Sequence, residues 1–356
     1  MGTFRDSFGG TPLAETTLVD EHHRRKLEAL SITTVEEMLS VARTAPAAFV
    51  RFFEGTDLPQ LEADAGLQAG PAIMTVEAVE AEFEGQWFAL GAEPPEDVPV
   101  EDVAAVSTFE EILADLPSKQ QPAGERVDLR GCFAPVRHQG KRGTCVGHAG
   151  AAVLECLSNR VAGGSLNTSP QFLFYNSKMS DGHPDVDGTW ARFAMPTLRT
   201  DGNCEEEFWP YEPDEIPGDV HHGPPPDDAV QNARQHRVVN VEELDPRDSE
   251  AIRAIVDGGR PAAVSVPVYQ NWWGAVTKST GKIPMPLPLS LRDGGHAMCV
   301  AGYDFDDDFT GGGYFIVRNS WGEEWAPRSP IAPGYGALPF EYIDRYGWEA
   351  FTASVE

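Results

Sequence analysis

An α+β protein is the architecture this sequence predicts: a helix-rich half followed by an antiparallel, β-rich half, with a small helical unit ahead of both. Three observations carry that prediction. A run of small and apolar residues begins at Cys145 and continues at helix length through VGHAGAAVLECL. After the breaker run HHGPPPDD (221–228), four segments rich in β-branched and aromatic residues follow: VVNVEEL, PAAVSVPVY, HAMCVAGYDF and YFIVRNSW. Residues 12–66 repeat their apolar positions at helical spacing. At 356 residues the chain exceeds one average domain, so a catalytic-sized unit with an appendage fits its length.

The elements follow in order. LVDEHHRRKLEAL predicts a first helix, Thr33 or Thr34 an N-cap before VEEMLSVA, and Ala-Pro punctuation a break before AAFVRFFE. The stretch LEALSITTVEEMLSVART resembles a helix-hairpin-helix unit, which serves either nucleic-acid contacts or protein docking. Residues 1–67 hold eleven Asp/Glu against six Lys/Arg and lack a glycine-rich turn to approach phosphate, which favours docking of a protein partner. Residues 67–125 read as a connector: the amphipathic MTVEAVEAEFEGQWFAL, the acidic GAEPPEDVPVEDV, a short helix FEEILADL and the linker PSKQQPAGE. Phe83, Trp87 and Phe88 in one amphipathic run predict that this connector packs beside the catalytic unit instead of threading a cleft. The division is therefore 1–66 helical unit, 67–125 connector and 126–356 catalytic unit.

Charge and cysteines narrow the function classes. Against 27 Lys+Arg stand 56 Asp+Glu, a formal charge of -29 that repels nucleic acid and anionic lipid surfaces. The N-terminus shows no basic-then-apolar export pattern and no later stretch reaches the ~20 apolar residues of a membrane span, so a cytoplasmic protein is expected. The five cysteines (Cys132, Cys145, Cys156, Cys204, Cys299) are odd in number and lack metal-ligand spacing, which suits unpaired thiols in a reducing compartment. No metal or other cofactor is expected; the pairs His22-His23 and His221-His222 read as surface residues.

The chemistry lies in four residues. A thiol attacks as thiolate, and Cys145, opening an apolar helix, sits near the positive end of a helix dipole. His296, on a predicted strand, supplies the imidazolium that balances the thiolate and later the proton for a leaving amine. Asn319 lies on the predicted strand YFIVRNSW, which pairs with HAMCVAGYDF through the turn DDDFTGGG and so brings Asn319 beside His296 to orient its ring. The Gln139 side-chain amide and the Cys145 backbone N–H supply two oxyanion donors. His148 is the rival base. One turn along the same helix as Cys145, it points down the helix surface, whereas His296 arrives from the opposing half with its own orienting Asn319.

These residues stand in RHQGKRGTCVGHAGAAVLECL (137–157), GGHAMCVAGYDF (294–305) and YFIVRNSWGEEW (314–325), and the set resembles the papain family of cysteine peptidases; PGYGALPFEYI (333–343) is similar to its prokaryotic members. The resemblance covers 126–356. It implies a two-subdomain fold with the site in the cleft between the halves, Trp321 covering the His296–Asn319 hydrogen bond from water, and Gly188 presenting backbone to a peptide or protein substrate. Asp187 stands where the family has a second glycine, and either narrows that approach or selects a positive substrate group. Secreted relatives carry a cysteine three residues before the nucleophile; here Arg142 takes that place, so that disulfide cannot form. The implied function is peptide-bond hydrolysis through a thioester on Cys145, with acyl transfer to an amine or peptide binding without cleavage as the alternatives. Trp272 and Trp273 either line the cleft or pack the β-rich half.

Overall fold

The computed structural model describes residues 3–53, 57–68, 76–95, 126–219 and 221–356. Its centre is a seven-stranded sheet in which every pairing is antiparallel. The strands are β1 (Val127–Asp128), β2 (Asn240–Leu244), β3 (Ala262–Tyr269), β4 (Arg292–Asp304), β5 (Tyr314–Arg318), β6 (Tyr335–Pro339) and β7 (Glu349–Ser354). They run in the order β2-β7-β3-β4-β5-β6, with β1 on β4. The predicted hairpin forms: β4 and β5 pair with Cys299 opposite Arg318, which carries the chain directly into Asn319.

Strand alternation sorts the core into two layers. Ala263 of β3, Ala297 and Cys299 of β4, and Phe351 and Ala353 of β7 pack with the helical half. Val264, Val266, Met298, Val300 and Ala350 belong to the larger core on the other side. The helical half is built on α7 (Cys145–Ala162), α8 (Pro170–Asp181) and α9 (Ala191–Thr200), numbered after six N-terminal helices: α1 (Phe4–Phe8), α2 (Glu21–Glu28), α3 (Val35–Thr44), α4 (Pro46–Phe52), α5 (Leu58–Gln68) and α6 (Val76–Glu82). Two glycines of α7 permit its close contact with α8. A Cβ on Gly147 would lie 2.8 Å from the Pro170 carbonyl oxygen, and one on Gly150 2.7 Å from Leu173 Cδ2.

The N-terminal helices do not form a core of their own. Thr34 is the N-cap of α3, in a capping box with Glu37. Leu27, Leu30, Val35, Met38 and Phe49 join the same buried cluster as Val266, Trp272 and Phe315 of the β-rich half. Glu37, while capping α3, also pairs with Lys282 Nζ at 2.7 Å, and both side chains are buried. Ser31 Oγ meets Thr310 Oγ1 at 2.8 Å, and the Met285 N–H donates to Leu30 O at 3.0 Å.

Two sequence expectations change here. Cys132 and Cys156 form a disulfide, leaving Cys145, Cys204 and Cys299 as the free thiols. The short turn at Arg130–Cys132 is held on α7 by Asn159, whose amide donates to Cys132 O at 2.9 Å, and this brings the two Cα atoms to 4.7 Å. The connector, expected beside the catalytic unit, instead runs between its two halves, as described below. The helix expected over FEEILADL lies outside the described residues. No described helix is long and apolar enough to cross a membrane.

Candidate active site

Cys145 is the first residue of α7 and is wholly buried, its Sγ accepting the Ala297 N–H at 3.4 Å. The next residue of β4 back along the chain is His296, also wholly buried. Its Nε2 lies 2.8 Å from Asn319 Oδ1, which assigns the proton to Nε2. His296 Nδ1 makes no hydrogen bond among the described residues and is left as the base nitrogen. Trp321 stacks on the imidazole with ring centroids 4.3 Å apart and planes at 23°, so one face of the His296–Asn319 pair is closed to water.

Gln139 is buried and its amide is oriented at both ends. Nε2 donates to Arg142 O at 2.8 Å, and Oε1 accepts from Ser320 Oγ at 2.6 Å. An amide nitrogen has two hydrogens, so one remains for an oxyanion. Asp187 is aimed at the loop before the nucleophile: both carboxylate oxygens lie 3.0 Å from the Gly143 N–H. Burial pushes its carboxyl above the ordinary value and the Gly143 bond opposes that. Gly188 abuts the cleft, but the backbone that pairs across it belongs to Thr189. His148 is a packed side chain: Nδ1 is 3.0 Å from Thr144 O, its ring is edge-on to Tyr211, and burial drives its pKa well down. Trp272 packs, with its indole donating to Tyr342 Oη at 2.9 Å.

Between these walls lies the chain itself. The Trp321 indole N–H donates to Ala89 O at 2.8 Å; the N–H groups of Gly91 and Ala92 donate to Gly295 O at 3.0 and 3.1 Å. Thr189 N–H donates to Gly91 O at 3.0 Å, Glu93 N–H to Thr189 O at 3.2 Å, and the Trp190 indole to Pro94 O at 2.9 Å. Ala92 and Thr189 thus form a parallel bridge. The fit is close enough to require glycine. A Cβ on Gly91 would lie 2.2 Å from Gly143 O, and one on Gly295 2.3 Å from Ala92 O. Nothing in the side-chain pattern of FALGAEP announces this; the signal was Gly91 alone, in a run otherwise read as linker.

Burial drives the Cys145–His296 pair toward its uncharged forms. Burial pushes the Cys145 thiol up to about 12, against weaker help from the Ala297 and Val146 N–H groups. Burial also takes His296 down to about 4, although the Asn319 bond favours its protonated form. At neutral pH the pair is thiol and imidazole. Replacing residues 88–94 by water would lessen the burial that is the largest cause of both shifts.

A family model described as papain family cysteine protease matches residues 123–331. An uncharacterized peptidase C1-like protein of Acanthamoeba polyphaga mimivirus is 28% identical over 180 residues, 48% of this chain and 53% of the relative. Cathepsin K of Gallus gallus is 28% identical over 220 residues, 60% of this chain and 59% of the relative. The chain therefore spans little more than half the length of these curated relatives. Among solved structures, xylellain, a cysteine protease from Xylella fastidiosa, matches with a TM-score of 0.59 at 25% identity, over 75% of this chain and 96% of that one.

Proposed function

Because the chain belongs to the papain family of cysteine proteases, we propose that it is a cysteine endopeptidase whose cleft is closed by its own residues 88–94. The observation that carries the peptidase reading is the Asn319-held imidazole, with Nδ1 unengaged, on the strand that also contacts the Cys145 sulfur. In the open cleft Cys145 attacks a peptide carbonyl as thiolate, and the new oxyanion takes hydrogen bonds from Gln139 and the Cys145 N–H. His296 then protonates the leaving amine, and water activated by the same imidazole resolves the thioester.

The direction of the connector explains why it is not itself a substrate. The leaving amine begins the C-terminal part of a substrate and must lie by His296, so that part exits on the side of His296 and Trp321. The connector runs the other way: Ala89 lies at Trp321, and Ala92 and Glu93, later in the chain, lie at Thr189. It blocks the cleft with reversed polarity. The test uses the full-length chain with Gly91→Ala, whose added Cβ cannot fit against Gly143. Hydrolysis of a quenched peptide library is expected, and Cys145→Ala in the same chain should abolish it while retaining the folded state. Turnover that survives Cys145→Ala would overturn the assignment.

A further inference from the structure

The loop from Gln139 to Thr144 delivers both proposed oxyanion donors, and its shape depends on a side chain from another part of the fold. We infer that Tyr211 is a positioning residue that sets the spacing of the oxyanion hole; this rests on the peptidase reading above. Its phenol oxygen lies 2.7 Å from Gln139 O and 2.6 Å from Thr144 Oγ1. A phenol has one proton, and a carbonyl can only accept. Tyr211 therefore donates to Gln139, and Thr144 Oγ1–H donates to Tyr211. One oxygen atom joins the residue that supplies the side-chain donor to the residue whose peptide link with Cys145 supplies the main-chain donor.

That oxygen is itself held. The Tyr211 ring is edge-on to His148, with centroids 4.7 Å apart, and the Arg142 guanidinium lies over it at 5.1 Å. Arg142 is only 1% exposed, and its Nη1 donates to Gln171 Oε1 and to Glu212 O, both at 2.7 Å. The Tyr211 N–H donates to Glu206 Oε1 at 2.8 Å. A covalent staple at position 142 is ruled out by the sequence, and this Arg142–Tyr211 contact occupies the same place on the loop. Among the described residues the Tyr211 phenol hydrogen-bonds to Gln139 and Thr144 and to neither Cys145 nor His296, so its effect passes through Gln139 and Thr144. Burial holds its phenol at about 12, so the bridge stays protonated across the working pH range.

The test is Tyr211→Phe in the full-length Gly91→Ala chain, which keeps the ring and removes the bridging oxygen. The kcat for peptide hydrolysis should fall by about 10-fold at constant KM, the rate equivalent of one hydrogen bond. Alkylation of Cys145 by iodoacetamide, a displacement that develops no oxyanion, should be unchanged, and so should the pH profile. Added to Gln139→Ala, Tyr211→Phe should cost less than it does alone, because one of the two donors it spaces is gone. Thr144→Val, which breaks the other half of the bridge, should reproduce the kcat loss. An unchanged kcat, a proportional loss of alkylation, or losses that multiply with Gln139→Ala would each overturn the inference. A parent chain that alkylates but hydrolyses nothing overturns the peptidase reading and this one together; a Tyr211→Phe chain as fast as an active parent overturns this one alone.

Discussion

Two of the contacts that residues before Val127 make with the catalytic unit are made of different material. Helices α2 to α4 are joined to the β-rich half by shared apolar core, by the buried Glu37–Lys282 pair and by the Ser31–Thr310 bridge. Residues 88–94 are joined to the cleft by backbone hydrogen bonds and by the closeness that Gly91 and Gly295 allow, with Phe88, Leu90 and Ala92 adding apolar contacts to the cores on either side. Apolar burial returns about 25 cal/mol per Å² and is lost only on unfolding. Backbone hydrogen bonds exchange for those of water, or of another peptide, at a net cost of only about 1 kcal/mol each. The first contact is thus a permanent part of the fold, whereas the second is a plug made of the kind of bonds a substrate would make.

The comparison can be broken at its strong end first. Lys282→Met leaves Glu37 buried without its partner, and should cost about 3–5 kcal/mol of stability, read as a lowered denaturation midpoint. A change below 1 kcal/mol would mean the N-terminal helices are not welded to the β-rich half. By the same logic, the isolated fragment 126–356 exposes the surface that Leu30, Met38 and Phe49 cover, and should be insoluble. Removing the Cys132–Cys156 link by serine substitution should cost about 3 kcal/mol, since it closes a loop of 24 residues, without altering cleft opening. Thiol counting on denatured chain should find three reactive cysteines before reduction and five after; five before reduction would contradict the disulfide. At the weak end, Trp321→Phe keeps a ring over His296 but loses the bond to Ala89 O, worth about 1 kcal/mol. Cys145 alkylation in the otherwise native chain should then rise about 5-fold; no rise would show that this bond does not hold the plug.

The sequence made the chemistry legible because the chemistry tolerates few residue types. Cys145 at a helix start, His296 on β4, Asn319 one residue past the end of its partner β5, and Gln139 six residues before the nucleophile are brought together by the structure. The helix start was readable from small residues, and the hairpin from β-branched runs around a glycine turn. Three features were not readable for a common reason. Ala89 to Pro94 make their hydrogen bonds across the cleft through main chain, which leaves no side-chain periodicity. Thr189, rather than Gly188, pairs with that segment, a distinction of one residue that depends on the register across the cleft. Cys132 and Cys156 lie 24 residues apart, and no spacing rule selects that pair from the ten that five cysteines allow. Tyr211 belongs with them, since its bridge exists only in the tertiary structure.

The central claim, that residues 88–94 hold Cys145 as a neutral thiol, is tested most directly by the ultraviolet thiolate band of the full-length chain, with Cys145→Ala as the blank, against the Gly91→Ala chain. A thiol raised to about 12 is protonated below that pH, and an imidazole lowered to about 4 is neutral above it. The native chain should therefore show no Cys145 thiolate at neutral pH and gain it only on strong alkalinisation, while Gly91→Ala should show the band at neutral pH. An equal thiolate band in both chains at neutral pH would contradict the account.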